Sequence, residues 1–261
     1  MTKVISITHR IDSKFLAREV DCEVYMPSVM DDLTGLPVLL VNDGQDMHQV
    51  GMAHILDYLW KKEICSPFIA VAPHTTRRLE EYGVSGVPDF KGRGALAEEY
   101  GKFAAQEVSV FLNEEYNVST DQWAICGFSL GALSAFDVAW NHPLFNKIGA
   151  FSPSFWWRKR DLNDGYTDAD RIMHEVVRSS KHKPDLRIWF QCGTMDETND
   201  RNGNGVIDSI DDCLDLMKEL ESLGFENGRD MFYTETIAGR HTQETYGIML
   251  PFFLHWAFGA K

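Results

Sequence analysis

Residues 123–132 read Trp-Ala-Ile-Cys-Gly-Phe-Ser-Leu-Gly-Ala, and this segment is the strongest indication of the fold. An apolar run breaks into Gly127-x-Ser129-x-Gly131 and continues directly into a helix-like sequence that ends at Pro143. Small neighbours permit the tight strand-to-helix turn that exposes a nucleophilic serine. The helix begins directly behind this serine, so its first N–H groups face negative charge that develops on a substrate. We therefore predict that Ser129 is a nucleophile; the alternative is a glycine-rich turn that contains a serine by chance.

Strand-like and helix-like segments alternate along the chain. Short apolar or extended runs predict strands at residues 4–8, 17–26, 36–41, 68–72, 123–126, 147–151, 186–192 and 231–237. Helical periodicity predicts helices at residues 52–63, 95–116, 168–180, 210–223 and 244–258, besides the helix behind Ser129. This alternation indicates an α/β fold, in which a mainly parallel sheet is covered by helices on both faces. Because no linker divides the sequence, we expect a single domain over residues 1–261.

Composition argues against several classes of partner. The formal net charge is −14 and no basic cluster offsets it, so we expect no nucleic-acid partner. The first six residues lack the apolar core of a signal peptide, and no apolar run reaches membrane-spanning length. The five cysteines are scattered and odd in number, which favours buried free thiols in a reducing compartment. We therefore expect a cytoplasmic protein without a membrane partner, whose oligomeric state the sequence leaves open.

Polar residues that follow the last two predicted strands complete a catalytic set. In parallel sheets the reactive groups lie beyond the carboxyl ends of the strands. Asp196 and Glu197 follow one of these strands, and His241 follows the other in a glycine-containing loop. A histidine can take the serine proton near neutral pH, and a carboxylate on its other nitrogen fixes its tautomer. We predict the triad Ser129, Asp196 and His241, in the chain order of α/β-hydrolases, with Glu197 as the alternative acid.

A serine nucleophile of this kind also needs two N–H donors for the oxyanion that forms on the substrate. The first is expected from Leu130, which directly follows the nucleophile. The second is expected from the loop after the strand at residues 36–41, and Gln45 is the predicted donor.

Seven short motifs carry a family resemblance: Asn42-Asp43-Gly44-Gln45, Glu81-Tyr82-Gly83, Asp89-Phe90-Lys91-Gly92-Arg93-Gly94, Gly127-Phe128-Ser129-Leu130-Gly131, Ser152-Pro153-Ser154-Phe155-Trp156-Trp157, Cys192-Gly193-Thr194-Met195-Asp196 and Gly239-Arg240-His241. Over nearly its whole length the chain resembles the α/β-hydrolase esterase family that includes siderophore (enterochelin) esterases and is related to feruloyl esterases. The resemblance implies an α/β-hydrolase fold, serine-dependent ester cleavage and triad positions at Ser129, Asp196 and His241. It implies a siderophore, feruloyl or acetyl ester as substrate without selecting among them.

Four residues are predicted to bind the substrate. Trp156 and Trp157 follow a strand end and are placed to stack on an aromatic acyl group, with a core position for one of them as the alternative. Arg93, with Tyr82 nearby in sequence, is predicted to clamp a polar or anionic group through its planar guanidinium. A surface ion pair of Arg93 is the alternative.

Residues 200–211 match the calcium-loop pattern D-x-N-x-N-G-x-I-D-x-x-[DE]. The match predicts a structural Ca²⁺, whereas the serine triad gives no reason to expect a cofactor for catalysis. A plain Asn/Gly turn that caps the following helix at Ser209 is the alternative. The predicted ligands are the side chains of Asp200, Asn202, Asn204, Asp208 and Asp211 and the carbonyl of Val206.

The favoured function is hydrolysis of a small-molecule ester with a small or aromatic acyl group, through an acyl-enzyme on Ser129. An acyltransferase is the nearer alternative, because the same acyl-enzyme can react with an alcohol. A non-catalytic, calcium-stabilised binding protein is the other, since a hydrolase fold alone does not specify a function.

Overall fold

The strand prediction is tested by a computed structural model, which describes residues 4–28, 30 and 32–260. The first three residues of the N-terminal segment considered above lie outside the described residues. Eight strands form one sheet in the order β1-β2-β4-β3-β5-β6-β7-β8. They are β1 (Val4–Ser13), β2 (Arg18–Pro27), β3 (Val38–Val41), β4 (Ile69–Pro73), β5 (Trp123–Phe128), β6 (Phe145–Phe151), β7 (Arg187–Met195) and β8 (Met231–Arg240).

The sheet is mainly parallel, as the sequence predicts. From β4 through β3, β5, β6 and β7 to β8, successive strands of the sheet pair in parallel. At the other edge, β2 pairs antiparallel with β4 and forms an antiparallel hairpin with β1. The central strands are apolar along their whole length because helices cover both of their faces. The alternating pattern therefore gives the correct α/β class.

Helices connect the strands and cover the sheet. They are α1 (Met47–Val50), α2 (Met52–Lys61), α3 (Arg78–Glu81), α4 (Ala97–Lys102), α5 (Val108–Tyr116), α6 (Leu130–Asn141), α7 (Ile172–Ser179), α8 (Asp208–Ser222) and α9 (Gln243–Phe258). A π-helical turn, Phe103–Glu107, joins α4 to α5 and makes one long helix of them. The helix predicted at residues 168–180 is divided, because Arg171 adopts an extended conformation between the turn Asp168–Asp170 and α7.

The hydrophobic core lies on both faces of the sheet. One layer includes Phe103, Phe136 and Leu216 from the long helix, α6 and α8. The other includes Leu56 and Phe253 from α2 and α9. This two-sided burial holds β5, β7 and β8 in register, so that their carboxyl ends meet at one edge of the sheet.

Two further observations concern the state of the cysteines and the length of the apolar helices. All five cysteines are buried and free, and burial raises the pKa of the Cys126 thiol to about 12, so that this thiol stays protonated. Among residues 4–28, 30 and 32–260, no helix has the length and apolar character needed to cross a membrane.

Candidate active site

Ser129 lies in a strained turn between β5 and α6. Its backbone has φ 60° and ψ −121°, a conformation that costs a non-glycine residue about 1–3 kcal/mol. The turn also requires glycine at position 127, because a Cβ there would lie 2.3 Å from the carbonyl oxygen of Gly131. The Ser129 amide donates a hydrogen bond of 2.9 Å to the Phe151 carbonyl, which ties the turn to β6. The serine hydroxyl is thereby presented at the carboxyl end of the sheet.

His241 reaches this serine from the end of β8. Its Nε2 lies 2.8 Å from the Ser129 Oγ. The preceding residues bulge out of β8, with Ala238 at φ 57° and its amide donating to the Thr194 Oγ1 at 2.8 Å. The histidine ring also packs on Phe128, with ring centroids 4.5 Å apart. The sheet therefore brings together two predicted residues that are separated by more than a hundred positions.

The surroundings of His241 favour its neutral form. Desolvation lowers the pKa of this imidazole, even though the side chain is partly open to solvent, and the Arg78 charge lowers it further. The carboxylates of Asp196 and Glu197 act in the opposite direction and raise it. The net direction is downward, so the ring is able to accept a proton at neutral pH.

The two acid candidates differ in how their oxygens are used. Both oxygens of Glu197 accept hydrogen bonds, from the Ser209 amide at 2.7 Å and from the Asn199 side chain at 2.9 Å. Asp196 accepts one, at 2.9 Å from the Gly193 amide, and its buried Oδ1 has no partner among the described residues. No hydrogen bond joins Asp196 to His241 in the part of the chain that the structure describes. Asp196 therefore keeps one carboxylate oxygen without a hydrogen bond among the described residues, whereas Glu197 does not. Its role as the triad acid stays a prediction.

The two residues predicted to donate hydrogen bonds to the oxyanion, Leu130 and Gln45, differ in their surroundings. Leu130 is the first residue of α6, where amides have no acceptor within the helix, and it directly follows the nucleophile. Gln45 is exposed, and its side chain bridges the Asp43 carboxylate and the Thr75 amide. Only the backbone N–H of Gln45 is therefore suited to the predicted role, which stays a prediction for both residues.

A cleft of about 260 Å³ opens beside the nucleophile. It is lined by Ser129, Ser152, Pro153, Ser154, Trp156, Asp196, Glu197, Ser209 and His241. Among the predicted substrate-binding residues, Trp156 borders this cleft. Two guanidinium groups already lie near its ring, with the Cζ atoms of Arg93 and Arg158 at 5.4 and 5.6 Å from the centroid.

The other three residues predicted to contact the substrate, Tyr82, Trp157 and Arg93, do not line this cleft. Tyr82 and Trp157 are fully buried, so neither ring reaches a ligand in the cleft. The Tyr82 hydroxyl accepts a hydrogen bond from the Asp43 amide, which is a structural role. Arg93 is paired with Asp89 and packs over the rings of Trp156 and Trp157, so the ion-pair alternative describes it.

Two neighbours of the site were missed by the sequence reasoning. The Ser154 Oγ lies 3.4 Å from the Ser129 Oγ, and the Ser154 amide donates to the Ser129 carbonyl. Its position after β6 was an available signal, because the loop carrying it was already singled out for its tryptophans. Arg78 pairs with the buried Asp43 and donates to the Phe128 carbonyl, and no sequence signal connects it to a histidine so far along the chain.

In the predicted calcium loop, some of the side chains expected to bind the ion converge and others do not. The side-chain amides of Asn202 and Asn204 both donate to the Asp211 Oδ2, at 2.9 and 2.8 Å, so these three side chains converge. Asp200 accepts hydrogen bonds from loop amides, and Asp208 instead faces the Arg201 amide and guanidinium. No group of three or more His, Cys, Asp or Glu side chains gathers as a metal site among the described residues. Calcium binding stays a prediction.

Comparisons with solved structures place this geometry in a known class. The chain is similar to enterochelin esterase from Shigella flexneri, with a TM-score of 0.74, 17% identity, 96% of this chain covered and 58% of that one. It is also similar to a ferulic acid esterase, with a TM-score of 0.72, 16% identity and 99% of each chain covered. An IroE-like serine hydrolase from Shewanella oneidensis gives a TM-score of 0.71 at 18% identity, covering 97% of this chain and 80% of that one. These likenesses define an α/β-hydrolase fold, and the chain spans 58% of the Shigella enzyme.

Sequence comparison then gives the family. The model of the family described as "Putative esterase" matches residues 13–251, and the chain belongs to this family. A relative in Bacillus subtilis (strain 168), the uncharacterized protein YjcH, is 25% identical over 219 residues, which cover 80% of this chain and 83% of that protein. Family membership supports a hydrolase that acts on esters.

Proposed function

We propose that this protein is a carboxylic ester hydrolase that works through an acyl-enzyme on Ser129. The observation that carries the proposal is the distance of 2.8 Å between the His241 Nε2 and the Ser129 Oγ, at a strained strand-to-helix turn. A nucleophile within hydrogen-bond reach of a neutral base is the arrangement that activates a serine hydroxyl. Membership in the esterase family supports the same chemistry.

The proposed reaction has two halves. The Ser129 oxygen attacks the ester carbonyl while His241 takes the serine proton, and the tetrahedral intermediate collapses as His241 returns that proton to the leaving alcohol. Water then attacks the acyl-enzyme with His241 as base, which releases the acid and restores the serine. The Leu130 amide, at the positive end of α6, is the first proposed donor to the oxyanion, and the Gln45 amide is the second.

The proposed substrate is a small-molecule ester. Known structural neighbours are named for enterochelin and ferulic acid, but their identity to this chain is below a fifth, so these substrates are not transferred from them. A cleft of about 260 Å³ lies below the range of roughly 300–1,000 Å³ that is usual for drug-sized ligands. This size favours a short acyl or alcohol group over a large polycyclic one.

Replacement of the nucleophile tests the proposal. We expect Ser129→Ala to abolish hydrolysis of p-nitrophenyl acetate, apart from the roughly 10³–10⁴-fold acceleration over water that binding and an oxyanion hole provide elsewhere. Ser222→Ala is the matched control, because this exposed serine bonds only to the Lys218 carbonyl near the end of α8. Turnover by Ser129→Ala close to that of the control would refute the serine mechanism.

A further inference from the structure

Two serines that line the cleft carry hydroxyl groups without a hydrogen-bond partner among residues 4–28, 30 and 32–260. The Oγ atoms of Ser152 and Ser209 are both buried and unpartnered among the described residues. The two residues are 1% and 8% exposed, and both line the cleft that contains Ser129. Ser154, which is 4% exposed, lines the same wall. Buried polar groups without partners are rare, and in a binding site they indicate groups that the ligand is expected to satisfy.

The fold fixes the backbone that carries each hydroxyl. Ser152 follows β6 with φ 42°, and its amide donates a hydrogen bond of 2.6 Å to the Gln191 carbonyl on β7. Ser209 lies in the first turn of α8, where its amide donates to the Glu197 carboxylate at 2.7 Å. Backbone strain at Ser152 and a capped helix start at Ser209 are features of preorganised sites, so the backbone on which each hydroxyl turns is already in place.

The charge of the cleft restricts the ligand further. Asp196 and Glu197 contribute carboxylates to the lining, and no Lys or Arg lines the cleft within the described part of the chain. An anionic group entering here would face these two carboxylates at close range, with every guanidinium of the region outside the lining itself. A hydroxyl, which both donates and accepts, matches the serine hydroxyls without this penalty.

We propose that the cleft selects small, uncharged esters whose acyl or alcohol group carries a hydroxyl, through hydrogen bonds to Ser152 and Ser209. This inference rests on the proposed ester hydrolysis. A site built to bond a substrate hydroxyl rejects the analogue that lacks it, because its own buried groups are then left without partners. An apolar cleft of the same size would discriminate much less.

Two pairs of esters of nearly equal size test the proposal. On the acyl side, p-nitrophenyl glycolate is compared with p-nitrophenyl propionate, which carries a methyl in place of the hydroxyl. On the alcohol side, 2-hydroxyethyl acetate is compared with n-propyl acetate. Each rate is divided by that of hydroxide-catalysed hydrolysis, which removes the difference in intrinsic reactivity. We expect kcat/KM to favour the hydroxyl compound by at least about tenfold in one of the pairs, and p-nitrophenyl hemisuccinate to be hydrolysed more slowly than either acyl-side ester.

Variants assign the preference to the two serines. Ser209→Ala and Ser152→Ala are expected to reduce kcat/KM for the hydroxyl ester much more than for its methyl counterpart. Ser209→Cys, which keeps nearly the same volume but is a weak hydrogen-bond partner, guards against a cavity effect of the alanine.

The outcomes distinguish a failure of the hydroxyl selectivity from a failure of the proposed ester hydrolysis. The selectivity would be overturned if the corrected kcat/KM values were equal within both pairs. If hydrolysis were still lost in Ser129→Ala, the proposed ester hydrolase would stand. Ordered water at the two serines would give this result. A preference that persists unchanged in both serine variants would also overturn the selectivity. A wild-type protein that hydrolyses none of these esters would overturn the proposed function, and the selectivity with it.

Discussion

Gly193, near the end of β7, lies close both to the carboxylate of Asp196 and to Gly239 of β8, the strand that leads to His241. A Cβ added to this glycine would lie 2.5 Å from the Asp196 Oδ1 and 2.5 Å from the Gly239 carbonyl oxygen. Ordinary contacts begin near 3.4 Å, so the methyl group of Gly193→Ala would be about 0.9 Å too close to both atoms. One of these atoms belongs to the backbone and cannot be moved by a side-chain rotation. The variant therefore has to separate the ends of β7 and β8.

The size of the effect follows from this geometry. Overpacking of a well-packed site costs about 1–3 kcal/mol of unfolding free energy. A displacement of about 1 Å in a catalytic group can reduce the rate by roughly 10²-fold. We expect Gly193→Ala to lose stability within that range in urea unfolding, and to lose about two orders of magnitude in kcat/KM for p-nitrophenyl acetate.

Gly228→Ala is the control for the stability loss. Gly228 precedes β8, at the opposite end of the sheet, with φ +82° and no atom within 4 Å of an added Cβ. Alanine there is strained by about 1–2 kcal/mol through its backbone alone, and activity should be unchanged. Wild-type stability and kcat/KM in Gly193→Ala would refute the close approach of the two strand ends. An equal loss of activity in both variants would show that destabilisation alone explains it.

Three further predictions concern the acid, the base and the calcium loop. Asp196→Asn should reduce kcat/KM more than Glu197→Gln, and the opposite order would assign the acid role to Glu197. Because the pKa of His241 is lowered, its imidazolium loses its proton at lower pH, and kcat/KM should reach half its maximum below pH 6.5. Glu197→Gln removes a charge that raises this pKa, so the acid limb of the profile should move to still lower pH. A pH–rate profile measures both effects. Ca²⁺ at a hundredfold its dissociation constant should stabilise the protein by about 2.7 kcal/mol, with a higher melting temperature that a chelator reverses and that Asp200→Ala does not show. A melting temperature that responds to neither calcium nor chelator would leave residues 200–211 as a helix-capping turn.

The calcium loop and the cleft are connected through α8. Asp208 and Asp211 belong to the first turn of this helix, which also carries Ser209 into the cleft. An ion that orders residues 200–211 would thereby fix Ser209 and the Glu197 carboxylate that caps its amide. We therefore propose a structural role for calcium, acting on the cleft from outside it.

The parts of the fold that local sequence determines were predictable. Continuous apolar runs and helical periods gave the correct α/β class, and the Gly-x-Ser-x-Gly turn gave the strained position of Ser129. The proximity of His241 followed from one rule, that the carboxyl ends of parallel strands share an edge. The division of the helix at Arg171 was not predictable, because it depends on ion pairs with Asp212 and Asp215 of α8, far along the chain.

Side-chain environment was the part that the sequence left undetermined. Trp156 and Trp157 are identical neighbours in the sequence, yet one borders the cleft and the other is fully buried. Which of two adjacent side chains faces the core depends on the packing of the whole layer, and no short motif records it. Ser209 illustrates the same limit, since its place in the cleft depends on how α8 packs against β7.

Covalent labelling of the nucleophile tests the central claim most directly. The protein is treated with an alkyl fluorophosphonate, which reacts irreversibly with activated serines, and is examined by intact mass, peptide mapping and residual hydrolysis of p-nitrophenyl acetate. We predict one adduct per chain, located on Ser129, with activity lost in proportion to labelling and with much slower labelling of His241→Ala because the base is absent. An adduct on another residue that accounts for the inactivation, or hydrolysis that persists while Ser129 is fully labelled, would contradict it.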